Sequence, residues 1–243
     1  MTVDVCFSPA LYPYYHKDDA VVVIVDVFRA TTTITAAFEN GARSIRPVAT
    51  VEEAEICKAK GLLVGAERHV RRCAFADFGN SPYDYTPAKV AGKDIVFTTT
   101  NGTKAINCAA RAHRILTGAF VNLQAVAHDC TARARDVVVL CSGWEDRINI
   151  EDTLFGGALS EALLTAGYLP AGDAARIALS LWMDAKSDLH GYIERTEHFK
   201  RLLENGLEND ISYCLTPDTS SLVPVYSTAS GVLLPRKPGN FES

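Results

Sequence analysis

The chain has 243 residues, 48% hydrophobic and 22% charged, enough to bury a core in one large domain or two small ones. With 24 Lys and Arg against 29 Asp and Glu, its formal net charge is −5, and no basic excess recommends nucleic acid as a partner. The N-terminal residues lack the basic and apolar parts of a signal peptide, and no apolar run has the length of a membrane span, so a cytoplasmic, membrane-free location is expected.

In chain order, strands and helices alternate, which predicts a layered α/β/α fold with a mostly parallel or mixed sheet. Ala20–Val25 is a continuous β-branched apolar run and reads as a strand buried on both faces. A helix follows over Thr31–Glu39, stopped by Asn40-Gly41. Ser44–Val48 is a short strand; Thr50 and Glu53 form a capping box that opens a helix through Lys60; Leu62–Val64 is the next strand. Residues 65–92 then lose periodicity, as functional loops do. Further strands are expected at Asp94–Phe97, Arg114–Thr117 and Asp136–Leu140. Helices are expected over 101–112, Asn122–Asp129, Ile150–Ala166, Asp173–Lys186 and Ile193–Asn205, with a hairpin around Ser227–Ser230. No repeat, low-complexity tract or linker divides the chain, so one domain over 1–243 is expected.

Reactive residues gather just past the predicted strand ends, where ligands bind in α/β sheets. After the first buried strand come Asp26, Arg29, Thr31 and Thr32, an acid and a guanidinium at a helix N-terminus. The plainer alternative is that Asp26 or Thr31 only caps the helix and Arg29 is a surface residue; the functional reading is preferred. After the Leu62–Val64 strand come Glu67, suited to a metal, and Arg68, suited to an oxyanion, with Asn80 and Ser81 on a turn further along. After Asp94–Phe97 come Thr99, Thr100, Asn101 and Gly102, a dense run of donors. After Asp136–Leu140 come Cys141 and Ser142, and then Glu151 and Asp152 in a first helical turn, where the helix dipole alone also favours acids.

Hard oxygen ligands at Asp26, Glu67, Glu151 and Asp152 suit Mg²⁺, which takes one or two carboxylates plus water and phosphate oxygens. Together with the Arg, hydroxyl and amide donors they suit phosphoryl chemistry on a small anionic phosphorylated substrate. Asp26, Arg29 and Glu67 are the candidate catalytic residues. Thr31, Thr32, Arg68, Asn80, Ser81, Thr99, Thr100, Asn101, Gly102 and Ser142 are the candidate substrate-binding residues. There is no GxGxxG after the first strand, no P-loop, no GxSxG elbow and no HExxH. The six His are isolated and read as surface or satisfied core residues, His69 excepted because it lies in the suspect loop. Seven scattered Cys without a CxxC argue for reduced thiols rather than disulfides or a zinc site.

The clusters, in this order, resemble the 2-phosphosulfolactate phosphatase family. The resemblance is carried by Asp26-Val27-Phe28-Arg29-Ala30-Thr31, Glu67-Arg68, Gly79-Asn80-Ser81-Pro82, Thr98–Thr103, Glu151-Asp152 and the segment from His198 through Asp210-Ile211, and it spans nearly the whole chain. It implies an α/β fold and Mg²⁺-dependent hydrolysis of 2-phospho-3-sulfolactate to 3-sulfolactate and phosphate, on the way to coenzyme M. The chain departs from the family pattern at His69-Val70 and Ala74, where small glycines are usual. Two other readings use the same residues: a cysteine hydrolase built on Cys141, and a non-catalytic module that binds an anionic metabolite. A homo-oligomer is compatible with the sequence, and nothing in it requires one.

Overall fold

The computed structural model describes residues 1–99, 105–106, 108–145 and 147–238. Its strands are β1 (Thr2–Cys6), β2 (Val21–Val25), β3 (Ser44–Pro47), β4 (Leu63–Arg68), β5 (Arg71–Arg72), β6 (Asp94–Thr98), β7 (Arg114–Gly118), β8 (Val137–Cys141), β9 (Leu169–Pro170), β10 (Val223–Ser227) and β11 (Val232–Arg236). Its helices are α1 (Ala30–Glu39), α2 (Val51–Ala59), α3 (Pro87–Val90), α4 (Leu123–Arg133), α5 (Ile150–Thr165), α6 (Asp173–Ala185), α7 (Leu189–Ile193), α8 (Glu197–Glu204) and α9 (Glu208–Leu215).

Among the described residues the strands join one 11-stranded sheet in the order β5-β4-β6-β3-β11-β10-β7-β2-β8-β1-β9. The block β7-β2-β8-β1-β9 is parallel throughout, and so is β4-β6-β3. The hairpin β10–β11 lies between the blocks and pairs antiparallel on both sides. Two blocks joined through such a hairpin run in opposite senses. Strand twist of about −20° to −25° per step accumulates to well over 100° between β2 and β4. That rotation is of the size needed to bring carboxyl ends from both blocks to one cleft.

The alternation along β2 shows why the sheet is covered on both faces. Val21, Val23 and Val25 pack with Leu123 and Val126 of α4 and Leu154, Phe155 and Leu159 of α5. Val22 and Ile24 point the other way, into the cluster holding Ile34, Ala37 and Phe38 of α1. All five β2 residues are fully buried. At about 1.5–3 kcal/mol for each such side chain, this strand anchors the layered α/β/α core.

Several elements depart from the sequence expectation. The strand expected at Leu62–Val64 continues to Arg68 and turns back as β5. It hides from pattern analysis because it carries Gly65, where any Cβ would collide with the Tyr85 hydroxyl and the Phe97 ring. The stretch 65–92 is therefore not wholly irregular, since it also contains α3. The helix expected over Ile193–Asn205 is two helices: Thr196 accepts the Phe199 amide at 3.2 Å and starts α8 afresh. Strand β1 and helix α9 are not anticipated at all. The hairpin near Ser227–Ser230 forms as expected, yet it fills the middle of the sheet. The helix expected over 101–112 falls partly outside the described residues; within them 105, 106 and 108 are helical and the chain turns at 109–111.

Candidate active site

The buried strand β2 ends at Val25, and Asp26 is the first residue past it. Local hydrogen bonds lock the following turn. The Asp26 amide donates to Thr31 Oγ1 at 3.1 Å, and Thr31 Oγ1 donates to the Asp26 carbonyl at 2.9 Å. Thr32 Oγ1 donates to the Val27 carbonyl at 3.0 Å, and the Ala30 amide donates to Asp26 Oδ1 at 3.3 Å. The hydroxyls of Thr31 and Thr32 therefore build the turn rather than reach a ligand.

A cleft of about 300 Å³ opens at this point. Its polar lining comes from Asp26 and Arg29 of the β2–α1 turn, Glu67 at the end of β4, Asn80, Thr99 just past β6, and His198 of α8. Phe28 and Trp144 supply aromatic walls, with ring centroids 5.6 and 6.0 Å from that of His198. Groups more than 100 residues apart in sequence thus face one space.

The charged groups are tied in pairs. Arg29 Nη1 donates to Asp210 Oδ2 at 2.5 Å, and Nη2 donates to the Val70 carbonyl at 3.1 Å. Asp210 Oδ1 accepts from Ser81 Oγ at 2.7 Å. Glu67 Oε1 accepts the Val70 amide at 2.6 Å. His198 Nδ1 lies 2.5 Å from Glu151 Oε1, whereas Glu151 Oε2 is buried with no partner among the described residues. Asp152 accepts the Val27 amide at 2.9 Å and the Gly143 amide at 3.1 Å, one on each oxygen. It ties the loop after β2 to the loop after β8.

Crowded carboxylates raise one another. Burial pushes the Asp26 carboxyl up to about 6; the Ala30 amide and His198 oppose the rise, and Glu67 and Glu151 add to it. Burial first, and then Glu151 and Asp26, hold the Asp152 carboxyl well above the usual carboxylate range. A cluster of acids desolvated this strongly at strand ends has the character of a functional site.

The structure therefore brings Asp26, Arg29, Glu67, Asn80 and Thr99 together on the cleft, with Glu151 directly behind His198. It does not bring Arg68 to the lining: that guanidinium donates to the Glu67 carbonyl at 2.6 Å and to Thr98 Oγ1 at 2.9 Å. Ser81 is engaged with Asp210. Ser142 is buried, and its Oγ has no partner among the described residues. Thr100, Asn101 and Gly102 lie outside the described residues. No three His, Cys, Asp or Glu side chains among the described residues converge as a ready-made metal cage.

Sequence reasoning missed His198 and Asp210. Read as an isolated histidine, His198 is instead part of the cleft wall and the partner of Glu151. Only the late matching segment from His198 to Asp210-Ile211 pointed to either residue. His69, the histidine singled out by its loop, is exposed beside the β4–β5 turn and does not line the cleft. Cys141 is fully buried and its thiol is pushed well up by burial, so it offers neither access nor a thiolate for the cysteine-hydrolase reading.

Comparison with known proteins bears on this geometry. A family model for 2-phosphosulpholactate phosphatase matches residues 6–229. The chain belongs to the 2-phosphosulfolactate phosphatase family. Membership places it among the phosphoric monoester hydrolases. A relative from Gloeobacter violaceus is 40% identical over 239 residues, covering 96% of this chain and 98% of its own. Relatives from Caldanaerobacter subterraneus subsp. tengcongensis and Thermotoga maritima are each 37% identical, over 207 and 202 residues. These cover 84% and 83% of this chain and 86% and 87% of their own lengths. All three carry the name "Probable 2-phosphosulfolactate phosphatase". The matched span, residues 6–229, contains every residue that lines the cleft, Asp26, Arg29, Glu67 and His198 among them.

Proposed function

We propose that this enzyme hydrolyses 2-phospho-3-sulfolactate to 3-sulfolactate and phosphate with the help of Mg²⁺. The observation that carries the reading is the convergence of Asp26, Glu67 and the Glu151–His198 pair on one cleft that also holds Arg29. The names of the relatives supply the substrate.

The donor set fits Mg²⁺ better than a metal that needs a protein cage. Mg²⁺ keeps several waters and takes only one or two carboxylates. Asp26 and Glu67 are cleft-lining carboxylates, and Glu151 Oε2 is a buried acceptor with no partner among the described residues. Mutual repulsion among these acids is the kind of field that a divalent cation relieves. Asp26 and Glu67 would hold the ion, with Glu151 behind them; bound there, Mg²⁺ neutralises charge building on the phosphoryl oxygens.

In this reading the chain's own groups orient the attack. Asp26, fixed by the Ala30 amide, positions a water and takes its proton as the water oxygen bonds to phosphorus. The ester P–O bond breaks, its electron pair stays on the leaving oxygen, and that oxygen is protonated with the proton held by Asp26. Arg29 faces the departing phosphate while anchored to Asp210. The free cysteines suit a reducing cytoplasm.

The test is a phosphate-release screen over phosphorylated hydroxy acids, with Mg²⁺ and with EDTA. Metal-dependent release from 2-phospho-3-sulfolactate, abolished by Asp26→Asn, is expected. Full turnover in EDTA, or in a folded Asp26→Asn variant, refutes the proposal.

A further inference from the structure

The substrate proposed above carries two further anions, a carboxylate and a sulfonate, beside its phosphate. The inner cleft has little to hold them. Its nitrogen-bearing side chains best suited to an anion are already committed among the described residues, Arg29 to Asp210 and His198 to Glu151, each at 2.5 Å. Arg68, the nearest other guanidinium in sequence to the site residues, is turned toward the Glu67 carbonyl and Thr98.

Trp144 and His198 also line a second hollow of about 940 Å³ that borders the inner cleft. Arg147, Arg195 and Arg201 border it, with Glu145 and Glu197 on the same rim. Arg201 stands apart from the other two arginines. It is half-buried, whereas they are exposed. Its guanidinium carbon sits 4.0 Å from the centroid of the Trp144 ring. No carboxylate among the described residues pairs with it, the two rim glutamates included.

Stacking on an indole holds a guanidinium by its face and leaves its N–H edge free to donate. That edge suits an oxyanion with two acceptors side by side. Arg201 also shares a helix face with the cleft. His198, Arg201 and Leu202 sit at i, i+3 and i+4 of α8, and His198 and Leu202 both line the inner cleft. Arg201 therefore lies one helical turn from His198, a wall of the inner cleft.

We infer that Arg201, stacked on Trp144, is a specificity-determining residue that holds the distal oxyanion of the substrate while its phosphate occupies the inner cleft. The inference rests on the phosphatase reading, and the enzyme uses this contact to prefer polyanionic esters over simple ones.

The test compares kcat/KM for 2-phospho-3-sulfolactate, 2-phospholactate and p-nitrophenyl phosphate in wild type, Arg201→Gln and Arg201→Lys. Arg201→Gln is expected to lower the ratio of 2-phospho-3-sulfolactate to p-nitrophenyl phosphate by 10- to 100-fold, about the worth of a charge-assisted pair. Arg201→Lys keeps the charge and loses the planar fork, so it restores part of the ratio. An equal loss with 2-phospholactate assigns the contact to the carboxylate; a spared 2-phospholactate assigns it to the sulfonate. A ratio within twofold of wild type in both variants overturns the inference.

Binding of 3-sulfolactate and of inorganic phosphate, measured by calorimetry, keeps the two proposals separable. Should the wild type hydrolyse no ester, the phosphatase reading fails and Arg201 is judged on binding. A tenfold selective weakening of 3-sulfolactate in Arg201→Gln supports its role. No selective weakening, or no binding of 3-sulfolactate to wild type, overturns it.

Discussion

Replacing Asp210 by Asn removes one charge from a pair that is almost dry. Its carboxylate sits 2.5 Å from Arg29 Nη1, and each of the two side chains is only 4% exposed. Left behind, the Arg29 guanidinium keeps its bond to the Val70 carbonyl but loses its counter-charge. Breaking one side of a buried pair costs about 3–5 kcal/mol, far more than the pair itself adds over an apolar replacement. For a chain of this size that is a fall in melting temperature of roughly 6–20 °C. Urea unfolding of the metal-free protein, with Arg29→Met and the double variant measured alongside, gives the full cycle. The double variant should be less damaged than the sum of the singles by about 1–3 kcal/mol, since it leaves no orphan charge. A loss under about 1 kcal/mol for Asp210→Asn at unchanged m-value, or strict additivity in the cycle, refutes this account of Arg29. The result also governs any activity assay: Arg29→Ala must be tested where the fold survives.

Asp26→Asn should abolish phosphate release and yet stabilise the metal-free protein. Its folded carboxyl is raised from 3.8 to about 6, so ionisation carries no cost below pH 4 and its full cost above pH 6. The stability advantage of Asn therefore opens between pH 4 and 6 and reaches about 1–3 kcal/mol at pH 7, read from melts in EDTA; equal melts across that window count against it. Adding Mg²⁺ should raise the melting temperature of wild type in proportion to the logarithm of its concentration, and raise it far less in Glu67→Gln. Identical shifts in both proteins would remove Glu67 from metal binding. Gly157→Ala should cost about 1–3 kcal/mol, because a Cβ there would run into the Ala178 carbonyl and the Trp182 side chain where α5 packs on α6. A neutral effect in urea unfolding would show that the two helices can separate freely.

What could be read from residues alone was whatever depends on neighbours in sequence. The apolar run of β2, the Thr50–Glu53 capping box, the α1 stop at Asn40-Gly41 and the Ser227–Ser230 hairpin all rest on short-range chemistry. Asp26 and Glu67 were legible for the same reason, since an acid just past a strand marks a ligand-binding edge in any α/β sheet. Strand β4 was cut short because Gly65 is demanded by Tyr85 and Phe97 across the fold and not by its own strand.

Residue order alone thus settled the layered class and which loops carry reactive groups, since periodicity, caps and turn residues act over a few positions. Only the tertiary structure decided that His198 meets Glu151 across 47 residues and that Arg29 meets Asp210 across 181. Whether a charge is free to serve a substrate depends on the partner that long-range packing brings to it. Arg29, conspicuous in the sequence, is held by a buried acid, whereas Arg201, which the sequence offers only as one residue of the late matching segment, keeps its donors for an incoming anion.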